Sequence, residues 1–109
     1  MIGRGYFVTV SLPGDYGKPR PALVVQNDTF LKLPSLVVCP LTSTVRSDAD
    51  QVRITVAPSR ENGLYVVSDV AIDKISVVPI TKIGAVIGKA DDELMLRVSR
   101  ALAFFLNIV

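Results

Sequence analysis

Few side chains in this sequence could do chemistry, and none of them is an imidazole. Histidine is absent from the 109 residues, and Cys39 is the single cysteine. Those counts exclude a histidine general base, a Ser-His-Asp triad, a Cys-His pair and a zinc site of His and Cys ligands. An enzyme built on this chain must take its acid and base from Arg, Lys, Tyr, Asp, Glu or a hydroxyl. Arg20 is the first candidate. It stands between Pro19 and Pro21, in a loop that also carries Asp15, Tyr16 and Lys18, immediately before an apolar run. The prolines restrict the backbone around it, and its planar fork of donors matches two phosphate oxygens at once. A surface arginine beside a turn is the plainer reading of the same residues. Thr42-Ser43-Thr44 is the second candidate, at the end of another apolar run. Hydroxyls there can donate to a phosphate oxygen, or can simply cap a turn. If the two runs pair as antiparallel neighbours, Arg20 and Thr42 are expected at opposite ends. If they are parallel, or separated by another strand, the two ends can meet.

The remaining candidates are weaker. Cys39 lies between Val38 and Pro40 and reads as a buried structural thiol. Asp69 and Asp73 are four residues apart. Such a pair can do acid-base work or bind a metal, but more often supplies turn and edge charges. No metal and no cofactor is therefore expected. The basic residues Arg46, Arg53, Arg60, Lys74, Lys82 and Lys89 are scattered and form no compact patch along the sequence.

The elements that must position these residues are mostly strands. Tyr6, Val8, Val10 and Leu12 alternate with Phe7, Thr9 and Ser11, which predicts a half-buried strand. Two Gly and three Pro between Pro13 and Pro21 predict a surface loop. Ala22 to Gln26 and Leu36 to Leu41 read as buried strands, with Asn27-Asp28 as turn residues after the first. Thr42 to Gln51 reads as a loop. Val52, Ile54 and Val56 alternate with Arg53 and Thr55, which predicts a strand with one wet face. Pro58 to Gly63 turns the chain. Leu64 to Val67 reads as a short strand, and Val70 to Pro79 as one or two more, bent where Asp73 and Lys74 interrupt the apolar pattern. The period then changes. Leu94, Val98, Ala101, Leu102, Phe105 and Ile108 form one helical stripe behind the acidic start Asp91-Asp92-Glu93. Phe104, Leu106 and Val109 widen that stripe beyond what one small sheet covers. Leu102, Phe105, Leu106 and Val109 are accordingly candidates for a subunit interface, a buried C-terminus being the blander account.

One domain, residues 1–109, is expected, of α+β class and mainly β: a small antiparallel barrel ending in one helix. Half of the residues are hydrophobic and 20% are charged, enough for a dense core. Twelve Lys and Arg against ten Asp and Glu leave a net charge of +2, too small to imply a nucleic-acid partner by itself. The longest apolar tract, Ala101 to Leu106, is far short of the roughly 20 residues that span a bilayer. No targeting segment is visible at the N-terminus. A lone cysteine favours a reducing cytoplasm over secretion.

Three stretches carry a family resemblance. Arg4-Gly5 before the first strand, Arg20-Pro21-Ala22-Leu23-Val24-Val25-Gln26-Asn27-Asp28, and Val37-Val38-Cys39-Pro40-Leu41-Thr42-Ser43 resemble the MazF/PemK family. The resemblance implies a small SH3-like barrel and a homodimer. It also implies the toxin of a bacterial toxin–antitoxin pair, blocked by a cognate antitoxin. Its implied activity is metal-independent, sequence-specific cleavage of single-stranded RNA, with the RNA's own 2′-hydroxyl as nucleophile. Carried over residue by residue, it implies Arg20 and Thr42 as the catalytic pair, with Ser43 beside Thr42 and Asp69 as substrate-binding residues; Lys18, in the loop before Arg20, is a further substrate-binding candidate. The C-terminal third is also similar to CcdB, in Ser76-Val77-Val78-Pro79-Ile80-Thr81-Lys82-Ile83-Gly84 and in Phe104-Phe105-Leu106-Asn107-Ile108-Val109. That toxin shares the fold, poisons DNA gyrase and cuts nothing, so a non-enzymatic gyrase poison is the alternative.

Overall fold

In the computed structural model, residues 2–11, 18–46, 48 and 51–108 are described. Seven strands and one helix follow in order: β1 (Tyr6–Val10), β2 (Arg20–Val24), β3 (Ser35–Thr42), β4 (Arg53–Val56), β5 (Ser68–Ala71), β6 (Ser76–Pro79), β7 (Ile83–Lys89) and α1 (Asp92–Phe105). The strands hydrogen-bond in the order β4-β5-β3-β2-β1-β7, with β6 also on β3, and every pairing is antiparallel. The architecture is that of the expected mainly-β domain with a closing helix. The sheet curls but does not close, so barrel describes it only loosely: among the described residues β4 and β7 share no ladder. The loop after β4 spans the gap instead, its Glu61 carbonyl accepting from the Lys89 N–H at 2.8 Å.

β3 organises the sheet. One of its edges pairs with β2. The other is divided: Ser35 to Val38 pair with β6, and Leu41 and Thr42 pair with β5. Pro40 falls in the interval between those two partners, where a missing N–H leaves no ladder bond unmade. The Ile72–Lys74 turn lets the chain step from β5 to β6, as the interruption at Asp73 and Lys74 predicts.

Both faces of the central strands are buried. Phe7, Leu23, Cys39, Leu41 and Val70 pack with Leu94 and Val98 of α1. Val8, Val10, Ala22, Val24, Leu36, Val38 and Val78 form a second cluster on the opposite face. The half-buried β1 of the alternation is thereby corrected: Phe7 is as fully buried as Val8, because β1 lies between β2 and β7 with a cluster on either side. The proposed end of that strand, Leu12, lies outside the described residues, as do Asp15, Tyr16 and the rest of 12–17. Three further expectations change. Leu64 to Val67 is no strand; only Leu64 is buried there, and Tyr65, Val66 and Val67 face solvent. Ile83–Lys89 is a strand that the periodicity does not mark, because Gly84 and Gly88 break its pattern. Arg53 is not on a wet face: it is buried and grips Asp73 with two donors, at 2.7 and 3.1 Å.

α1 starts and stops on local chemistry. The Asp91 carboxylate accepts from the Leu94 N–H at 2.8 Å, capping the helix, and Asp92 and Glu93 meet the positive end of its dipole. At the far end Asn107 takes a left-handed φ of 59°, and the Ile108 N–H reaches back to the Ala103 carbonyl. Arg4 fastens the helix to the sheet, donating to the Val25 carbonyl and, at 2.6 Å, to the Ser99 hydroxyl.

The Arg53 guanidinium holds the Asp73 carboxyl below its ordinary range. A depressed folded value stabilises the fold above the unfolded carboxylate pKa of about 3.9 and loses that effect as pH falls through the folded one. Asp73→Asn is therefore expected to cost about 2 kcal/mol at pH 7. In urea titrations the gap between variant and parent should narrow below pH about 4. A gap that stays constant with pH would contradict this.

Candidate functional site

The register of β2 against β3 decides where Arg20 and Thr42 lie. Ala22 faces Pro40, Leu23 faces Cys39 and Val24 faces Val38. The ladder's last pair is Ala22 and Pro40, and a regular continuation by two residues would set Arg20 across from Thr42. Antiparallel pairing thus brings the two together, and the expectation that it would part them is reversed: the start of one antiparallel strand lies beside the end of its neighbour. The type of pair follows too. The Val25 N–H bonds the Val37 carbonyl at 3.1 Å, and hydrogen-bonded and non-bonded pairs alternate. In that continuation Arg20 and Thr42 would fall on a non-hydrogen-bonded pair, the kind whose side chains stand closer.

A cross-strand row extends from this pair. Val10 faces Arg20 from β1, Asp69 faces Thr42 from β5, and Thr55 faces Asp69 from β4. Directly opposed residues share a face, so Arg20, Thr42, Asp69 and Thr55 form a polar row at one end of the sheet. Arg20 is exposed, on the rim that the two prolines frame, and Lys18 is exposed two residues before it. Thr42 is half-buried, and its Oγ1 accepts from the Thr44 N–H at 3.1 Å. A hydroxyl oxygen that accepts in this way keeps its own proton to donate. Ser43 is exposed beside it.

Asp69 occupies a different position from the other candidates. It is fully buried, and its two oxygens accept from the Thr55 hydroxyl at 2.7 Å and the Arg46 backbone N–H at 2.9 Å. It offers no oxygen to solution; it ties the loop after Thr42 to β4. Asp69 and Asp73 do not converge, since each is engaged by its own partners. The buried Cys39 thiol is pushed up to about 12 by burial, which leaves it protonated and inert as a nucleophile. Arg46 and Thr55 escape sequence reasoning as partners of Asp69, because the contact joins three separate segments. Their one signal is that Thr55 falls on the polar side of the β4 alternation. Of the interface candidates, Leu102 is half-buried, Phe105 and Leu106 are exposed, and Val109 lies outside the described residues.

Comparison with known proteins identifies the class. Residues 3–106 match the family model described as PemK-like, MazF-like toxin of type II toxin-antitoxin system, and the chain belongs to that family. The match includes most of the C-terminal third that resembles CcdB. A protein of Mycolicibacterium smegmatis named as a probable endoribonuclease MazF is 40% identical over 106 residues, 96% of each chain. Among solved structures, an endoribonuclease bound to its cognate antitoxin, from a mycobacterial species, superposes with a TM-score of 0.82 at 22% identity. The match covers 100% of this chain and 98% of that one. The Mycobacterium tuberculosis toxin MazF-mt6 gives 0.80 at 23% identity, over 97% and 99% of the two chains. MazF in a MazE-MazF crystal structure from Deinococcus radiodurans gives 0.78 at 20%, over 99% and 97%. These structural likenesses concern the fold.

The buried carboxylate generates its own test. Asp69→Asn replaces one acceptor by a donor, so one of its two bonds is lost. A stability cost of about 1–3 kcal/mol is expected, together with faster hydrogen exchange at the Arg46 amide. Unchanged protection at Arg46 would remove Asp69 from the role of loop anchor.

Proposed function

We propose that this chain is a sequence-specific endoribonuclease that cleaves single-stranded RNA without a metal, as the toxin of its pair. The antiparallel β2–β3 register, which brings the strand ends that carry Arg20 and Thr42 to one end of the sheet, supports this reading. An exposed guanidinium and a hydroxyl on one strand-end pair suit a phosphodiester whose nucleophile belongs to the substrate. The ribose 2′-hydroxyl loses its proton as its oxygen attacks the adjacent phosphorus, and the P–O bond to the 5′-oxygen breaks as that oxygen takes up a proton, giving a 2′,3′-cyclic phosphate and a 5′-hydroxyl. Arg20 stabilises the charge that builds on the phosphorane, and Thr42 donates to a phosphoryl oxygen. Lys18 and Ser43 contact the backbone on either side. Asp69 is a positioning residue: it holds the Thr42–Arg46 segment in place and does not touch RNA. DNA, which lacks the 2′-hydroxyl, is not cut.

The partners follow the same reading. A cognate antitoxin covers the site. A homodimer buries the apolar end of α1, where Phe104, Phe105, Leu106 and Ile108 stand in solvent on the single chain. No helix among the described residues is long and apolar enough to cross a membrane. A cytoplasmic location suits both the RNA substrate and the unpaired Cys39.

The test is incubation of purified protein with a long RNA and chelator, beside a gyrase supercoiling assay. Discrete fragments are expected, falling about 100-fold or more for Arg20→Ala, by the scale of removing one charge-stabilising donor. Thr42→Ala should also lose rate with its fold retained. Intact RNA together with gyrase-linked DNA breaks would overturn the proposal in favour of the gyrase poison.

A further inference from the structure

The loop between β4 and β5 is wired to hold one aromatic ring in water. Asn62 is its hub and is itself buried. The Asn62 Oδ1 accepts from the N–H groups of Ser59 and Leu64, both at 3.0 Å, and its Nδ2 donates to the Ala57 carbonyl at 2.9 Å. Gly63 takes a φ of +69° and lies so close to β7 that a Cβ there would stand 1.9 Å from the Ile87 carbonyl oxygen. Leu64 is buried as an anchor, and the next residue, Tyr65, is 98% exposed. A loop this strongly fixed would ordinarily bury its aromatic, since that is where the apolar free energy lies. Here the rigid segment presents the ring to solvent.

Tyr65 stands at the edge of a hollow of about 510 Å³, a size ordinary for ligand sites. Leu64, Ile87 and Pro21 give it an apolar lining, and Arg60 adds a cation. Pro21 is the residue after Arg20. Pro19, the residue before Arg20, lines a neighbouring hollow of about 260 Å³ together with Lys82, and Thr9 is common to both. Both recesses adjoin the Arg20 backbone on the sheet face opposite its side chain, so an RNA strand held at Arg20 reaches them by passing over the end of β2, and one of them carries an aromatic face and an arginine. Single-stranded nucleic acid is held by that combination: aromatic rings on which bases stack, with cations along the backbone.

We infer that Tyr65 is a stacking platform for an RNA base flanking the cleaved phosphate, with Arg60 on the same nucleotide. This rests on the ribonuclease reading and adds a base subsite to it. The ring supplies affinity and site preference, and it takes no part in the chemical step. Tyr65→Ala should therefore raise KM on a short RNA about ten-fold, the scale of one lost base stack, with kcat within about two-fold and an unchanged melting temperature. Tyr65→Phe should behave as the parent, because the face and not the hydroxyl binds. An abasic substitution at the flanking nucleotide should weaken the parent similarly and leave Tyr65→Ala almost indifferent.

The outcomes separate cleanly. If the parent cuts RNA and Tyr65→Ala cuts it with the same KM, the stacking subsite is wrong while the ribonuclease reading stands. If Tyr65→Ala cuts normally but escapes inhibition by the antitoxin, the patch is a protein-binding surface and this inference fails. If the parent leaves RNA intact, the functional reading fails and takes the subsite with it.

Discussion

The antiparallel pairing of β2 with β3 is the constraint on which the rest depends. Ala22 to Val24 and Val38 to Pro40 are buried or nearly so, and they lie at the centre of a seven-stranded sheet with apolar clusters on both faces. A slip of one residue would turn each side chain to the wrong face. The connection reinforces the alignment: the Gln26 side chain accepts from the Val37 N–H and donates to the Phe30 carbonyl. Because the register is fixed by packing, the ends of the two strands are fixed as well. The packing of the core therefore brings the strand ends that carry Arg20 and Thr42 to the same end of the sheet.

The same strand organises what lies behind the pair. β3 gives up its second edge to β6 and then to β5, and this change of partner is what sets Asp69 beside Thr42. A buried carboxylate is costly unless its oxygens are used. Asp69 uses both, on Thr55 and on the Arg46 amide, so the loop that carries the hydroxyls is tied to β4. Arg53 and Asp73 do comparable work one repeat away, joining β4 to the turn between β5 and β6. The strand end that carries Arg20 and Thr42 thus stands beside two buried charges, Asp69 and Arg53, each held by partners that extend to the surface.

Much of this was legible in the residues, and the failures have physical causes. The change to a helical period after Asp91 locates α1, and of the acidic residues expected at its start, Asp91 is the cap. The apolar runs located β2 and β3. Strand alternation failed wherever a strand was buried on both sides, as at Phe7, or where a charge was buried with its partner, as at Arg53. It also failed where glycines replaced side chains, in β7. At Leu64 to Val67, apolar residues serve a surface and imitate a strand. Arg20 and Thr42 could be chosen by residue type and by family resemblance. Their meeting could not be read from periodicity, which says which face a residue takes but not which strand lies alongside. The role of Asp69 was hidden for the same reason.

The absence of histidine acquires its meaning from this geometry. A nuclease with no imidazole can work if the substrate supplies the nucleophile and the protein supplies charge and hydrogen bonds at the phosphate. The most direct measurement of that claim uses an RNA cut by the parent protein, remade with a single 2′-deoxynucleotide on the 5′ side of the cleaved bond. The account predicts that cleavage at that bond is lost, and that the unmodified RNA leaves a 2′,3′-cyclic phosphate. Cleavage of the deoxy-substituted bond at an undiminished rate would contradict it.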